Sequence, residues 1–161
     1  MGYGLTGAIG AKIACPDVPV VMFSGDGGMQ MNIQELATAA AQELPLVLCV
    51  FNNSFLGMVR QWQKLFYGKR YSMTCLKYRR SCDGQCGNCE CPPYLPDFVK
   101  LAESYGACGI RVTKEEEIRD AFLQAKENTK TPTVIEFIID SEEMVYPMLK
   151  PGGTLEEMLM S

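Results

Sequence analysis

Histidine is absent from all 161 residues. That absence excludes a Ser-His-Asp triad and histidine general-base chemistry, and it leaves any zinc site to thiolates, with or without a carboxylate. Basic charge is scarce too. Lys and Arg number 15 against 19 Asp and Glu, a net charge of -4, whereas nucleic-acid phosphates call for a basic face. No apolar run reaches the roughly 18 residues of a membrane span. The opening MGYGLTGAIGAK has neither a basic leader nor a cleavage site, so no signal peptide is expected. These exclusions leave a cytoplasmic protein with no nucleic-acid or membrane partner as the expectation. With 47% apolar residues, the chain is long enough to bury one substantial core.

Cysteine, by contrast, is plentiful at eight. Cys15, Cys49 and Cys108 stand alone in apolar surroundings and read as small core residues. Cys75, Cys82, Cys86, Cys89 and Cys91 crowd together, and without a secretory signal they read as reduced thiols or metal ligands. Cys82, Cys86, Cys89 and Cys91 offer four thiolates for a tetrahedral Zn2+ or an iron–sulfur cluster. A structural metal would order a loop that has few apolar residues of its own. Free thiols and adventitious disulfides are the competing readings.

Along the chain, residues 4–14 predict a tightly packed helix of small residues, ended by Pro16 and Asp17. Residues 19–23 and 46–51 are continuous apolar runs, the mark of strands buried on both faces. Between them, residues 32–43 carry Ile33, Leu36, Ala37 and Ala40 at helical spacing. Residues 57–67 predict a helix with Met58, Val59, Trp62, Leu65 and Phe66 on its apolar side. Residues 68–95 show no helical or strand period and read as a Cys-rich loop. Pro96 reads as the first residue of a helix over 97–105. A short strand over 109–112 follows. Thr113 and Glu116 then read as the capping box of a helix over 114–127. Residues 132–139 are the last strand, and 140–161 an irregular tail. Strands alternating with helices imply a doubly wound parallel α/β sheet in a single domain. Ligands on such sheets bind beyond the carboxyl ends of the strands.

Two turns occupy that position, Gly25-Asp26-Gly27 and Asn52-Asn53. If their strands are neighbours, Asp26 and Asn53 converge on one ion, with hard oxygens suited to Mg2+ or Ca2+. Mg2+ keeps positions for phosphate oxygens. Gly25, Gly27 and Gly28 let backbone amides approach those phosphates, and a helix beginning near Met29 aims its positive end at them. A lone GDG is often only a turn. The paired asparagines one βαβ unit later make coincidence much less credible.

The stretch GDGGMQMNIQELATAAAQELPLVLCVFNN resembles the GDG…NN signature of thiamine-diphosphate enzymes. That resemblance implies Asp26, Asn53 and the backbone carbonyl of Phe55 as Mg2+ ligands, with Gly27, Gly28, Leu56 and Gly57 lining the cofactor diphosphate. The following SFLGMVRQWQKLFYGKRYS is similar to the active-site helix of acetolactate synthases. By that match Met58 and Val59 lie near the cofactor rings and Trp62 shapes the pocket for the second 2-oxo acid. The rival view is that these three side chains are merely the buried stripe of an amphipathic helix. MGYGLTGAIGAK is similar to the family's MGYGLPAAIGAK, whose first residue, here Met1, wedges under the cofactor; Thr6 replaces the usual proline. Met144 to Met148 and Pro151-Gly152-Gly153 match the family's closing tail.

The resemblance implies thiamine diphosphate and Mg2+ as cofactors, and pyruvate and 2-oxobutyrate as substrates in branched-chain amino-acid biosynthesis. It further implies a homodimer, a regulatory small subunit and the remaining synthase domains as partners. In the family, FAD and the glutamate that protonates the cofactor's pyrimidine belong to other domains. No catalytic residue is therefore assigned among these 161, and the chain alone is expected to hold cofactor without completing the reaction. Lys77 to Leu95 looks like an insertion relative to the common family pattern. The alternatives are another thiamine-diphosphate decarboxylase, oxidase or oxidoreductase, and a non-catalytic module stapled by metal.

Overall fold

The computed structural model describes residues 1–77 and 96–160. They fall into two compact units, Met1–Asn53 with Leu95–Ile139, and Ser54–Tyr94 with Asp140–Ser161. The Cys82, Cys86, Cys89 and Cys91 cluster lies outside the described residues.

The first unit is a parallel sheet. Its strands are β1 (Val20–Gly25), β2 (Leu46–Asn52), β3 (Cys108–Val112) and β4 (Thr133–Ile138), in spatial order β1-β2-β4-β3. Successive side chains of a strand point to opposite faces, and β2 shows what each face buries. Leu46, Leu48 and Val50 join Leu5, Ile9, Met22, Leu36, Ala39, Phe98 and Val134. That cluster fixes α1 (Tyr3–Ala14), α3 (Leu36–Ala41) and α5 (Phe98–Ser104) on one face. Val47, Cys49 and Phe51 join Ile110, Val112, Ile135 and Phe137 beneath Ala121 and Ala125 of α6 (Ile118–Glu127) on the other. The doubly wound reading therefore holds.

Several local expectations do not. Among the described residues β1 is an edge strand, not one buried on both faces: Met22 is buried, but Val21 is 44% and Phe23 64% exposed. The helix expected from residue 32 starts earlier, as α2 (Asp26–Met29), and passes through a 3-10 turn, Gln30–Glu35, before α3. The break falls at Asn32 (φ -135°, ψ 34°), whose amide reaches away to donate to the Gly2 carbonyl at 2.8 Å. Leu36 and Ala39 are the buried pair there, while Ala37 is exposed.

Pro96 does not open α5. Asp97 caps it, accepting from the Lys100 amide at 3.2 Å. At the start of the α6 region Glu117, not Glu116, closes the cap, taking the amides of Thr113 and Lys114. Cys49 is buried, and loss of hydration pushes its thiol up to about 11. Cys15 is exposed and Cys108 half-buried, so only one of the three isolated cysteines is a true core residue. Glycine is required at 109, where a Cβ would lie 2.7 Å from the Val99 carbonyl oxygen as α5 crosses β3.

The second unit contains α4 (Gly57–Phe66) and the described parts of the segments read as a loop and an irregular tail. Residues 68–77 are more regular than expected. Phe55 and Cys75 form an antiparallel bridge, flanked by Leu56 N–H to Thr74 O at 2.8 Å and Leu76 N–H to Ser54 O at 2.9 Å. Gln63 fastens the same stretch, donating to the Ser72 carbonyl at 2.9 Å. In the tail, Met148 and Leu159 bridge around the 3-10 turn Leu155–Glu157.

Candidate functional site

In the first unit the sheet brings the two turns together. β1 and β2 are adjacent and in register, with Gly25 opposite Phe51 at the last rung. Asp26 and Asn53 follow one and two residues beyond that rung, at the carboxyl ends of neighbouring strands about 4.8 Å apart. Asp26 is 2% exposed, and its Oδ1 accepts from the Gly27 amide at 2.7 Å. Asn53 is half-buried. A buried carboxylate beside a carboxamide is a hard-oxygen set that fits Mg2+.

Next to Asn53 in the chain stands a residue to which sequence reasoning gave no role. Asn52 is buried, and its amide donates to Glu136 Oε1 at 2.7 Å. Glu136 Oε2 takes Arg111 Nε at 2.7 Å, and Arg111 Nη2 reaches Asp97 at 2.6 Å. A polar chain thus runs from the β2 tip across β4 and β3 to the cap of α5. It fixes the Asn52 side chain within the sheet, at the residue just before Asn53. A signal existed: Glu136 is the one charged residue in the apolar run TVIEFI, and a buried carboxylate needs a partner.

In the second unit α4 reverses the expected amphipathic side. Arg60 and Gln61 are its buried residues, whereas Met58 is 50%, Val59 49% and Trp62 38% exposed. The view of these three as a buried structural stripe is therefore overturned. Trp62 meets Phe66 edge-on at 6.3 Å. With Val59, Gln63, Tyr67 and Arg70 it lines a cleft of about 300 Å³.

The polar residues of α4 hold it in place. The Arg60 guanidinium lies between the rings of Phe55 and Tyr71, 4.4 and 4.1 Å from their centroids. It also pairs with Glu142 at 2.6 Å, while Lys64 takes the other oxygen of that carboxylate at 2.8 Å. Hydrogen bonds from Lys64 and Arg60 hold the Glu142 carboxyl down at about 2. Gln61 exchanges two 2.9 Å hydrogen bonds with the Val145 backbone, as a neighbouring strand would. Phe55, Leu56 and Gly57 belong to this unit, and Met1, which is 76% exposed, to the first. Among the described residues no group of three His, Cys, Asp or Glu forms a metal cluster. None of their helices is long and apolar enough to cross a membrane.

Comparison with known proteins adds independent findings. Residues 1–137 match the model of the thiamine pyrophosphate enzyme family, C-terminal TPP binding domain. The acetolactate synthase large subunit of Corynebacterium glutamicum is 44% identical over 154 residues, 96% of this chain and 23% of that protein. The Escherichia coli acetolactate synthase isozyme 3 large subunit is 40% identical over 163 residues, 100% of this chain and 26% of that protein. Among solved structures, the thiamine diphosphate-dependent 4-hydroxybenzoylformate decarboxylase of Rhodococcus jostii superposes with a TM-score of 0.72. It is 30% identical, over 89% of this chain and 24% of that one. The chain spans about a quarter of the length of these relatives.

Proposed function

The chain belongs to the thiamine pyrophosphate enzymes as their C-terminal TPP-binding domain, and from that premise we propose that it is the cofactor-holding part of an acetolactate synthase large subunit. The observation that supports this reading is the adjacency of β1 and β2, whose last residues, Gly25 and Asn52, come just before Asp26 and Asn53. Identity of 40–44% to acetolactate synthases, against 30% to the decarboxylase, favours the carboligase over the decarboxylase alternative.

Asp26, Asn53 and the Phe55 carbonyl would hold Mg2+. Gly25, Gly27, Gly28, Leu56 and Gly57 would let backbone amides close on the cofactor diphosphate. Met1, Met58 and Val59 would contact the cofactor's rings, and the cleft beside Trp62 would take the second 2-oxo acid. Thiamine diphosphate, when bound, supplies the carbanion chemistry that releases CO2 from one 2-oxo acid and joins the remaining carbons to another. The chain's own contribution is binding and orientation: a buried anion for the metal, and apolar side chains held outward by the Arg60 and Gln61 anchors. Pyruvate and 2-oxobutyrate as substrates, a cytoplasmic place in branched-chain amino-acid biosynthesis, a homodimer and a regulatory small subunit complete the proposal. A zinc or iron–sulfur centre in the cysteine cluster is a separate one.

The test is calorimetric titration of the chain with thiamine diphosphate and Mg2+. Saturable binding is expected for the parent chain and its loss for Asp26→Ala. Equal binding by the variant sinks the ligand assignment.

A further inference from the structure

Two segments of the first unit, remote in sequence, meet at a joint that runs against local preference on both sides. On one side stands Asn32. Met29, Gln30, Glu35 and Leu36 around it are all helical, yet Asn32 leaves the helical region at φ -135° and ψ 34°. A helix broken there forfeits some of its own backbone hydrogen bonds. Asparagine breaks helices more readily than most residues, because its short amide competes for backbone partners. Here the partner is the Gly2 carbonyl, which accepts from Asn32 Nδ2 at 2.8 Å.

On the other side stands Gly2, the buried residue that precedes α1. Its φ of +85° is left-handed, a conformation open to glycine and strained for other residues. A Cβ there would also lie 2.9 Å from Asn32 Nδ2 and 3.2 Å from Met31 Cβ. The bare glycine is what lets the backbone come close enough for the asparagine to hold it.

The joint belongs to the elements that carry the Asp26 turn. Asp26 opens α2, and the 3-10 turn that contains Asn32 continues directly from it. The first turn of α1 lies over the end of β1, where a Cβ on Gly4 would come 2.9 Å from Met22 Sδ and 3.8 Å from Ser24 Cβ. Ser24 stands two residues ahead of Asp26. Met1, next to Gly2 in the chain, is 76% exposed. This end of the unit thus offers a buried carboxylate at the turn and a large exposed apolar side chain on the segment fastened by Asn32. Phosphate oxygens gain from a metal held by the former, whereas an organic ring gains from apolar contact with the latter.

We propose that Asn32 is a positioning residue, which by fastening Gly2 holds Met1 in place to meet the organic part of the cofactor. This role rests on the cofactor reading above and divides the binding between two places. Asn32 governs affinity for the ring portion of thiamine diphosphate, and the turn takes the diphosphate with its Mg2+.

The experiment titrates the chain calorimetrically with two ligands, thiamine diphosphate and plain pyrophosphate, each with Mg2+. A few residues are added ahead of Met1 so that this methionine is retained. Asn32→Val donates no hydrogen bond and is no better a helix former than asparagine. It should bind thiamine diphosphate about two- to tenfold more weakly than the parent, the scale of one neutral hydrogen bond, and pyrophosphate equally well. Gly2→Ala strains the joint from the other side and should give the same split. Thermal melts of both variants report whether they fold. A parent that does not bind thiamine diphosphate ends the cofactor reading, and the proposal with it. With a parent that binds it, the proposal alone is overturned if pyrophosphate does not bind, or if the variants lose both ligands equally or neither. Failure of both variants to fold also overturns it, since the contact would then serve stability only.

Discussion

The two units of this chain are held together by different physics. In the first, Leu36, Leu48, Val50 and Val134 are wholly buried, and apolar area removed from water is the main source of cohesion. In the second, Met148 is the one apolar residue among the described residues that is buried; the other buried ones are Ser54, Arg60, Gln61 and Thr74. There a guanidinium between two rings, a carboxylate shared by two cations and an amide mimicking a strand do the holding. Burial in the first unit is non-directional and tolerates change of sequence within an apolar pattern. Cohesion in the second depends on particular pairs distant in sequence, so single changes there should act through charge and pH.

Three perturbations sharpen that contrast. The largest effect is expected from Leu48→Ala, which empties the middle of the first core and should cost about 2–5 kcal/mol in urea unfolding. Glu142→Gln should cost less, about 1–3 kcal/mol, at the low end because Glu142 is half exposed to screening solvent. Its folded carboxyl titrates at about 2, below the ordinary 4.5. The stability it contributes is therefore complete above about 4.5 and fades as pH falls towards 2. The parent's stability should drop further through that window than the variant's, which keeps the lowered carboxyls of Asp97, Glu117 and Glu157; equal acid profiles would remove Glu142 from the account. The smallest effect leaves stability untouched. Cys49 sits in the first core and Cys75 is half-buried on the Phe55 bridge. A thiol reagent should label Cys75 through local opening and Cys49 only at the rate of global unfolding.

The same division explains what could be read from sequence. Strand positions, their parallel sense and the Asp26 and Asn53 turns followed from local apolar runs and turn residues, because period and composition are local properties. Asn32 broke a helix that its neighbours' spacing supported, since its amide found a partner 30 residues away. The exposure of β1 could not be seen either, because edge or centre is decided by the other strands. In α4 the apolar pattern pointed to the wrong side. Arg60 and Gln61 are buried where they bond Glu142 and Val145, 82 and 84 residues on, and pattern analysis carries no such information. Met58, Val59 and Trp62 are exposed, against what the periodicity predicted.

Trp62 is the single tryptophan of the chain, and it lies in the second unit. Its emission is therefore a built-in optical reporter of that unit alone, whereas far-ultraviolet circular dichroism is weighted towards the sheet and helices of the first. If the two signals melt together, the chain unfolds as one cooperative body. If emission changes first, the half that presents Trp62 can loosen while the strands that carry the Asp26 and Asn53 turns stay formed.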